Sequence, residues 1–229
     1  MTEPLKVGVV GRDGRMGAAA LDWIRAEAGL ELVGAVGRGD GWEALDGASV
    51  ALDVTRAGLG ALHGERLLRR GIRPLIGTSG VTPYEAAALH ELAIECGLGG
   101  AVVPNFSAGF LALSRAVSAS RGLLPSARVV EAHHAQKVDA PSGTAIQLAE
   151  QLDVDPDKVT SLRMDGLLAV HEVRLLGADD LVTLRHETLG LGGFREGLIA
   201  GLWYAFSACG VAYGLAEVMS GTCKVQPQA

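Results

Sequence analysis

The chain has 229 residues, 48% of them hydrophobic, enough for a sizeable core in one large or two modest domains. A net charge of −6, with no basic run and no interleaved aromatics, argues against non-specific nucleic-acid binding. No stretch has the uninterrupted apolar length a membrane span needs, residues 1–10 hold neither a charged leader nor a long apolar segment, and the widely spaced Cys96, Cys209 and Cys223 read as reduced thiols, so a cytoplasmic protein is expected.

The chain opens as strand, turn and helix: Leu5 to Val10, then Gly11-Arg12-Asp13-Gly14-Arg15-Met16-Gly17, then an amphipathic run through Leu21 and Ile24. Glycines spaced G-x-x-G-x-x-G let a backbone turn tightly, approach a pyrophosphate and pack the helix on the strand. A plain tight turn is the alternative in a chain with 32 glycines; the start of a strand–helix–strand pattern favours the dinucleotide reading. The extended run Leu30 to Val36 ends in Gly37-Arg38-Gly39-Asp40. A NAD site usually offers a carboxylate to the ribose near this point, whereas an arginine suits the 2′-phosphate of NADP. Gly37 followed by Arg38 therefore favours NADPH, and Asp40 leaves NADH open.

The alternation continues. Ser49 to Val54 reads as a strand, Leu59 to Arg70 as a helix, and Ile72 to Ile76 as a strand running into Gly77-Thr78-Ser79-Gly80. Pro83 to Glu95 reads as a helix capped by Thr82, with proline at its first turn. A fifth strand, Gly100 to Val103, runs into Pro104-Asn105-Phe106-Ser107. Ligands of open parallel sheets sit beyond the carboxyl ends of the strands, so these two polar clusters are candidate walls of a cleft.

Next comes Glu131-Ala-His133-His134-Ala-Gln-Lys137-Val-Asp-Ala-Pro141-Ser142-Gly143-Thr144-Ala145. Arg128 to Ala132 reads as a strand that Pro141 cannot continue, and Ser142 as the N-cap of a helix through Ala149. A helix start attracts carboxylate or phosphate. With two imidazoles and an ammonium beside it, the segment suits an anionic substrate that also needs a proton. A surface histidine, a solvated lysine and a plain cap would explain these residues singly; their concentration favours a site. Adjacent histidines on a strand point to opposite faces and no cysteine lies nearby, so no metal site is expected. Beyond this segment the pattern becomes strand-rich, with Thr160–Met164, Ala169–Leu176 and Leu181–His186, before a helix from Arg195 to Ala208. The final Gln226-Pro-Gln-Ala reads as a frayed tail.

These residues resemble the dihydrodipicolinate reductase family of lysine and diaminopimelate synthesis. The resemblance rests on the Gly11–Gly17 turn, Gly77-Thr78-Ser79-Gly80, Asn105-Phe106-Ser107 and above all the block from Glu131 to Ala145, in the family's order and spacing. It implies an α/β Rossmann-type nucleotide-binding domain over residues 1–105 and 197–229, and an α+β open-sheet domain over 106–196 for substrate binding and tetramerisation. By the same resemblance, NADPH and/or NADH would lie against Gly11, Arg12, Asp13, Gly14, Arg15, Met16, Arg38, Gly77, Thr78, Ser79, Val103, Pro104, Asn105 and Phe106. His133 matches the family's proton donor/acceptor and Lys137 its proton donor. His134, Gly143 and Thr144 match the residues that hold the substrate carboxylates.

The implied reaction is reduction of 4-hydroxy-tetrahydrodipicolinate. Hydride goes to a cyclic unsaturated imine dicarboxylate, and His133 and Lys137 manage the accompanying proton. One departure concerns the family's Ser-Arg-x-x-Phe-Ala: the stretch here is Gly190 to Arg195, with Leu191 at the arginine position unless Arg195 takes over from a shifted place. Another nicotinamide-linked amino-acid dehydrogenase and a non-catalytic dinucleotide sensor are the alternative readings. Intact His133 and Lys137 argue against the sensor.

Overall fold

The structure is a computed structural model and describes residues 3–221; Cys223 and the tail expected to fray lie outside the described residues. In chain order its elements are β1 (Leu5–Val10), α1 (Arg15–Ala26), β2 (Leu30–Val36), β3 (Val50–Asp53), α2 (Gly60–Arg69), β4 (Arg73–Ile76), α3 (Pro83–Glu95), β5 (Gly99–Val102) and α4 (Ala108–Ser120). There follow β6 (Ser126–His133), α5 (Gly143–Gln151), β7 (Thr160–Arg163), β8 (Ala169–Leu176), β9 (Leu181–Thr188), α6 (Arg195–Ser207), β10 (Gly210–Tyr213) and α7 (Leu215–Ser220). They form two compact units. One runs up to Phe106 and resumes at Phe194; the other is Ser107–Gly193.

The first unit is built on a six-stranded sheet in the order β10-β5-β4-β3-β1-β2, with every pair parallel. A parallel sheet has helices on both faces, so its strands are apolar on both sides. Accordingly β3 and β5 are buried at every residue. Val10, Val36, Leu45 and Leu67 form one core cluster, and Leu68, Ile76, Leu89, Ala93 and Val102 another. The chain leaves β1 for β2 on one side and returns to β3 on the other. That reversal opens a crevice at the strands' carboxyl ends, where Gly11 and Thr55 emerge. Thr82 caps α3 in a full capping box with Glu85, and Pro83 opens the helix.

The second unit carries a mixed sheet in the order β7-β6-β8-β9, parallel between β6 and β7 and antiparallel elsewhere. Its inner face is covered by α4 and α5 through Phe110, Leu113, Val117, Leu148, Val129 and Val173. Sequence patterning marks no helix over Ala108–Ser120. Serines at 107, 114, 118 and 120 blur its apolar stripe, although the Ser107 side chain caps it by accepting from Phe110 N at 3.1 Å. The short β10 is likewise unmarked; only its pairing with β5 makes those residues a strand.

Candidate active site

In the first unit, Gly11 follows β1 at φ +101°, where a side chain is strained, and a Cβ there would stand 2.8 Å from the Val54 carbonyl oxygen. A Cβ on Gly17 would stand 2.0 Å from the Gly11 carbonyl oxygen, so α1 packs directly onto the turn. Gly11 N and Arg12 N both donate to the Val36 carbonyl, at 2.9 and 3.2 Å, which ties the turn to the end of β2. The cap residue of α1 is Gly14, which brings no side chain to the helix start. A backbone cradle beneath a helix N-terminus fits a pyrophosphate.

The end of β2 differs from the sequence expectation. Gly37 has no carboxylate of its own, yet the Asp13 carboxylate stands over it: a Cβ on Gly37 would lie 2.0 Å from Asp13 Oδ2. Arg38 N donates to the same oxygen at 3.3 Å. Asp40 Oδ2 accepts from Gly37 N at 2.7 Å and pairs with Arg12 at 2.8 Å, while Arg12 also donates to the Ala35 carbonyl at 2.9 Å. Arg12 and Asp40 thus join the glycine turn to the loop after β2. Arg38 is exposed.

At the ends of β4 and β5, Ser79 and Pro104 are exposed and Asn105 half-buried, but Thr78, Val103 and Phe106 are buried. Phe106 packs where a Gly77 Cβ would be, 2.5 Å from its Cε2. Of the residues expected to meet the cofactor, Thr78, Val103 and Phe106 thus have buried side chains. Beneath Thr78 lies a buried carboxylate, Asp53. It accepts from Thr55 N at 3.0 Å and Thr55 Oγ1 at 2.7 Å, with His63 Nδ1 at 3.2 Å.

In the second unit, His133 ends β6 and is 8% exposed. Its Nδ1 is hydrogen-bonded to Glu131 Oε2. Burial pushes the Glu131 carboxyl up, but Ser161, Arg163 and His133 outweigh it and hold the group below the usual range. Glu131 is therefore an ionised acceptor, and His133 Nδ1 carries the hydrogen. Burial pushes the His133 imidazole down; Glu131 opposes this, while the cations Lys137 and Arg163 add to it, leaving the ring neutral near neutral pH. Lys137 Nζ donates to Asp139 Oδ1 at 2.8 Å. Burial pushes Asp139 up, but Lys137 overcomes it and holds the carboxyl below its ordinary value.

His134 follows β6 directly, and its carbonyl accepts from Lys137 N at 3.1 Å, which closes the turn between them. Ser142 caps α5 by accepting from Ala145 N at 3.3 Å. Gly143 and Thr144 open that helix, and a Cβ on Gly143 would meet nothing within 4 Å. Two residues escape a reading of the sequence as a linear string. Glu131 shares the face of His133 by the two-residue period of a strand, a signal that was available. Arg163 is paired with His133 only through the β6–β7 register. Leu191 begins a 3-10 turn, Leu191–Phe194. Arg195 opens α6 in the first unit and forms an ion pair with Glu27.

A doubly wound parallel sheet with a glycine turn, and a second unit holding a buried carboxylate–imidazole pair and a lysine, define a dinucleotide-linked oxidoreductase. Residues 5–106 match the family profile described as dihydrodipicolinate reductase, N-terminus, and residues 110–219 its C-terminus. The 4-hydroxy-tetrahydrodipicolinate reductase of Streptomyces coelicolor is 35% identical, covering 92% of this chain and 96% of that protein. The Bacillus licheniformis enzyme of the same name is 27% identical over 95% and 98%. A solved dipicolinate-bound dihydrodipicolinate reductase from Paenisporosarcina sp. TG-14 matches with a TM-score of 0.79 at 26% identity, covering 93% of this chain and 99% of that one. The chain belongs to the dihydrodipicolinate reductase family.

Proposed function

We propose that this chain reduces 4-hydroxy-tetrahydrodipicolinate to tetrahydrodipicolinate in lysine and diaminopimelate synthesis, with NADPH or NADH, as a cytoplasmic homotetramer. The observation that carries the reading is the conjunction of a neutral, carboxylate-oriented His133 with the Lys137 ammonium in one short segment. The cofactor, when bound, supplies the hydride. Gly11 to Met16 hold its pyrophosphate at the start of α1, and the loops at Gly77–Ser79 and Val103–Phe106 line the nicotinamide end. Gly143 and Thr144 offer their N–H groups to one substrate carboxylate, with His134 assisting; the open space before Gly143 leaves room for it.

The 4-hydroxyl leaves as water to give the cyclic unsaturated imine dicarboxylate; hydride addition to that ring leaves negative charge on it, which a proton must quench. Lys137 supplies that proton. His133, with its hydrogen on Nδ1 and an electron pair on Nε2, exchanges a proton with lysine or solvent between turnovers. Assembly falls to the outer face of the second unit's sheet, where Leu162, Leu176 and Leu181 are 46%, 40% and 62% exposed.

The test is a coupled assay in which dihydrodipicolinate synthase generates the substrate and oxidation of each nicotinamide cofactor is followed, with the product identified. No substrate-dependent oxidation would sink the reading. Lys137→Ala should lower kcat by about 10²–10⁴-fold, the usual worth of a positioned acid, with dinucleotide affinity unchanged. A parallel loss of that affinity would move Lys137 to the cofactor.

A further inference from the structure

We infer that Arg163 is a positioning residue for proton transfer: its guanidinium fixes Lys137 relative to His133 by clamping the Glu131 carboxylate and the lysine loop together. The inference rests on the functional reading above for the roles of His133 and Lys137. Its geometry does not depend on that reading.

Arg163 ends β7 directly opposite His133 in the β6–β7 register, and Met164 N continues the pairing by donating to the His133 carbonyl at 2.9 Å. From there the side chain donates to its own neighbour's carbonyl, Leu162 O at 2.7 Å, and to three groups across the site. Nη1 donates to Glu131 Oε1 at 2.9 Å, the carboxylate oxygen that His133 does not use. Nε donates to the Lys137 carbonyl at 3.2 Å. Nη2 donates to the carbonyl of Asp139, the residue whose side chain holds the lysine ammonium. The Arg163 side chain is only 20% exposed.

The segment from His134 to Ala140 has no regular secondary structure of its own. Its Lys137 and Asp139 carbonyls are drawn to one guanidinium that is also anchored on a fully buried carboxylate. A planar fork with five donors can serve three acceptors in different directions; an ammonium on a flexible stem cannot hold all three at once. The arrangement helps explain why Glu131 can be ionised while buried: beside Ser161, the Arg163 cation and His133 each donate to one of its oxygens. The groups facing His133 are Glu131 on its own strand, Arg163 on β7, Lys137 and Asp139 in the loop, and His171 on β8, with His186 beyond it on β9. Among them Arg163 and Lys137 are the cations that disfavour a charged imidazole.

Two variants test the inference, each measured by steady-state kinetics and by NMR titration of the His133 ring in the full chain. Arg163→Gln removes the cation and part of the fork. Turnover should fall by roughly 100-fold, as expected when a reacting group is misplaced by about 1 Å, with KM for the cofactor little changed. The His133 titration midpoint should rise by about one pH unit as a neighbouring cation is lost. Arg163→Lys restores charge beside Glu131 but not the reach to two carbonyls, so it should return the midpoint toward wild type while turnover stays low. Turnover of Arg163→Gln within twofold of wild type, or of Arg163→Lys equal to wild type, overturns the positioning role. If Arg163→Gln does not fold, Arg163→Lys decides alone: low turnover with a wild-type melting temperature supports the clamp, and full turnover removes it. If the wild type proves inactive on the substrate, the functional reading fails separately, and an unmoved midpoint in Arg163→Gln would still overturn the clamp.

Discussion

At the end of β2, the proposed cofactor choice between a free ribose hydroxyl and a 2′-phosphate would fall to two side chains. Sequence alone offers Arg38 beside a glycine, hence NADPH. The structure adds Asp13, whose carboxylate fills the space a side chain at Gly37 would need. The glycine turn thus places a carboxylate at the end of β2, where NAD sites usually carry one on the strand itself. Arg38→Ala should raise the Kd for NADPH about tenfold or more, the loss of at least one charge-assisted hydrogen bond, and leave NADH nearly unchanged. Asp13→Ala should act in the opposite sense, weakening NADH and strengthening NADPH by removing a like charge from the phosphate. Direct titration of both cofactors against both variants checks this. If Arg38→Ala weakens the two cofactors equally, Arg38 touches adenine or pyrophosphate instead.

Elements were legible where local chemistry alone decides them. Apolar runs broken by glycine revealed β1 to β5 to within a residue or two, and Thr82-Pro83 announced α3. The helix α4 was not legible because half its stripe is alanine and serine; it is stabilised by Val129 and Val173, far along the chain. The same boundary separates the legible part of the site from the rest. Glycines at 11 and 17 and the His133–Lys137 spacing are local. The Asp13 carboxylate over Gly37, the Arg163 clamp and the Asp53 network exist only once strands are in register. Asp53 shows what such a network does for an element. It joins the end of β3 to α2 through His63, and Thr55 N also donates to Thr78 Oγ1 at 3.0 Å, which fastens the loop after β4. Asp53→Ala strands buried donors and should cost about 3 kcal/mol in urea unfolding. Asp53→Asn, which keeps an acceptor, should cost clearly less. Equal losses from the two would show that the carboxylate's charge, rather than its acceptor geometry, is what holds the loop.

Stability of the whole molecule should carry the signature of its second unit's histidines. His133, His171 and His186 lie on the inner face of one sheet, and burial, as the largest influence on each, pushes all three below the ordinary value. His171 is the extreme case: it is 2% exposed, neither ring nitrogen has a hydrogen-bond partner among the described residues, and its pKa is lowered from 6.5 to about 3. The sign follows from which state takes up protons. Below pH 6.5 the unfolded chain protonates this ring and the folded chain does not, so unfolding is favoured as pH falls; the loss runs from 6.5 down to about 3 and then stops. The slope is at most about 1.4 kcal/mol per pH unit for one such group, or roughly 2 kcal/mol between pH 6.5 and pH 5. Glu131, held below the usual carboxylate range, adds to the loss only at lower pH, so the interval above pH 5 isolates the imidazoles. His171→Leu places an apolar group of similar size against Phe110, whose ring centroid is 5.4 Å from that of His171. At pH 7 it should therefore change stability by less than about 1.5 kcal/mol. Between pH 7 and pH 5 the variant should lose visibly less stability than the wild type in chemical unfolding. Parallel curves would mean that the folded protein accepts a proton at His171 after all, through an opening of the sheet–helix packing that keeps the ring dry.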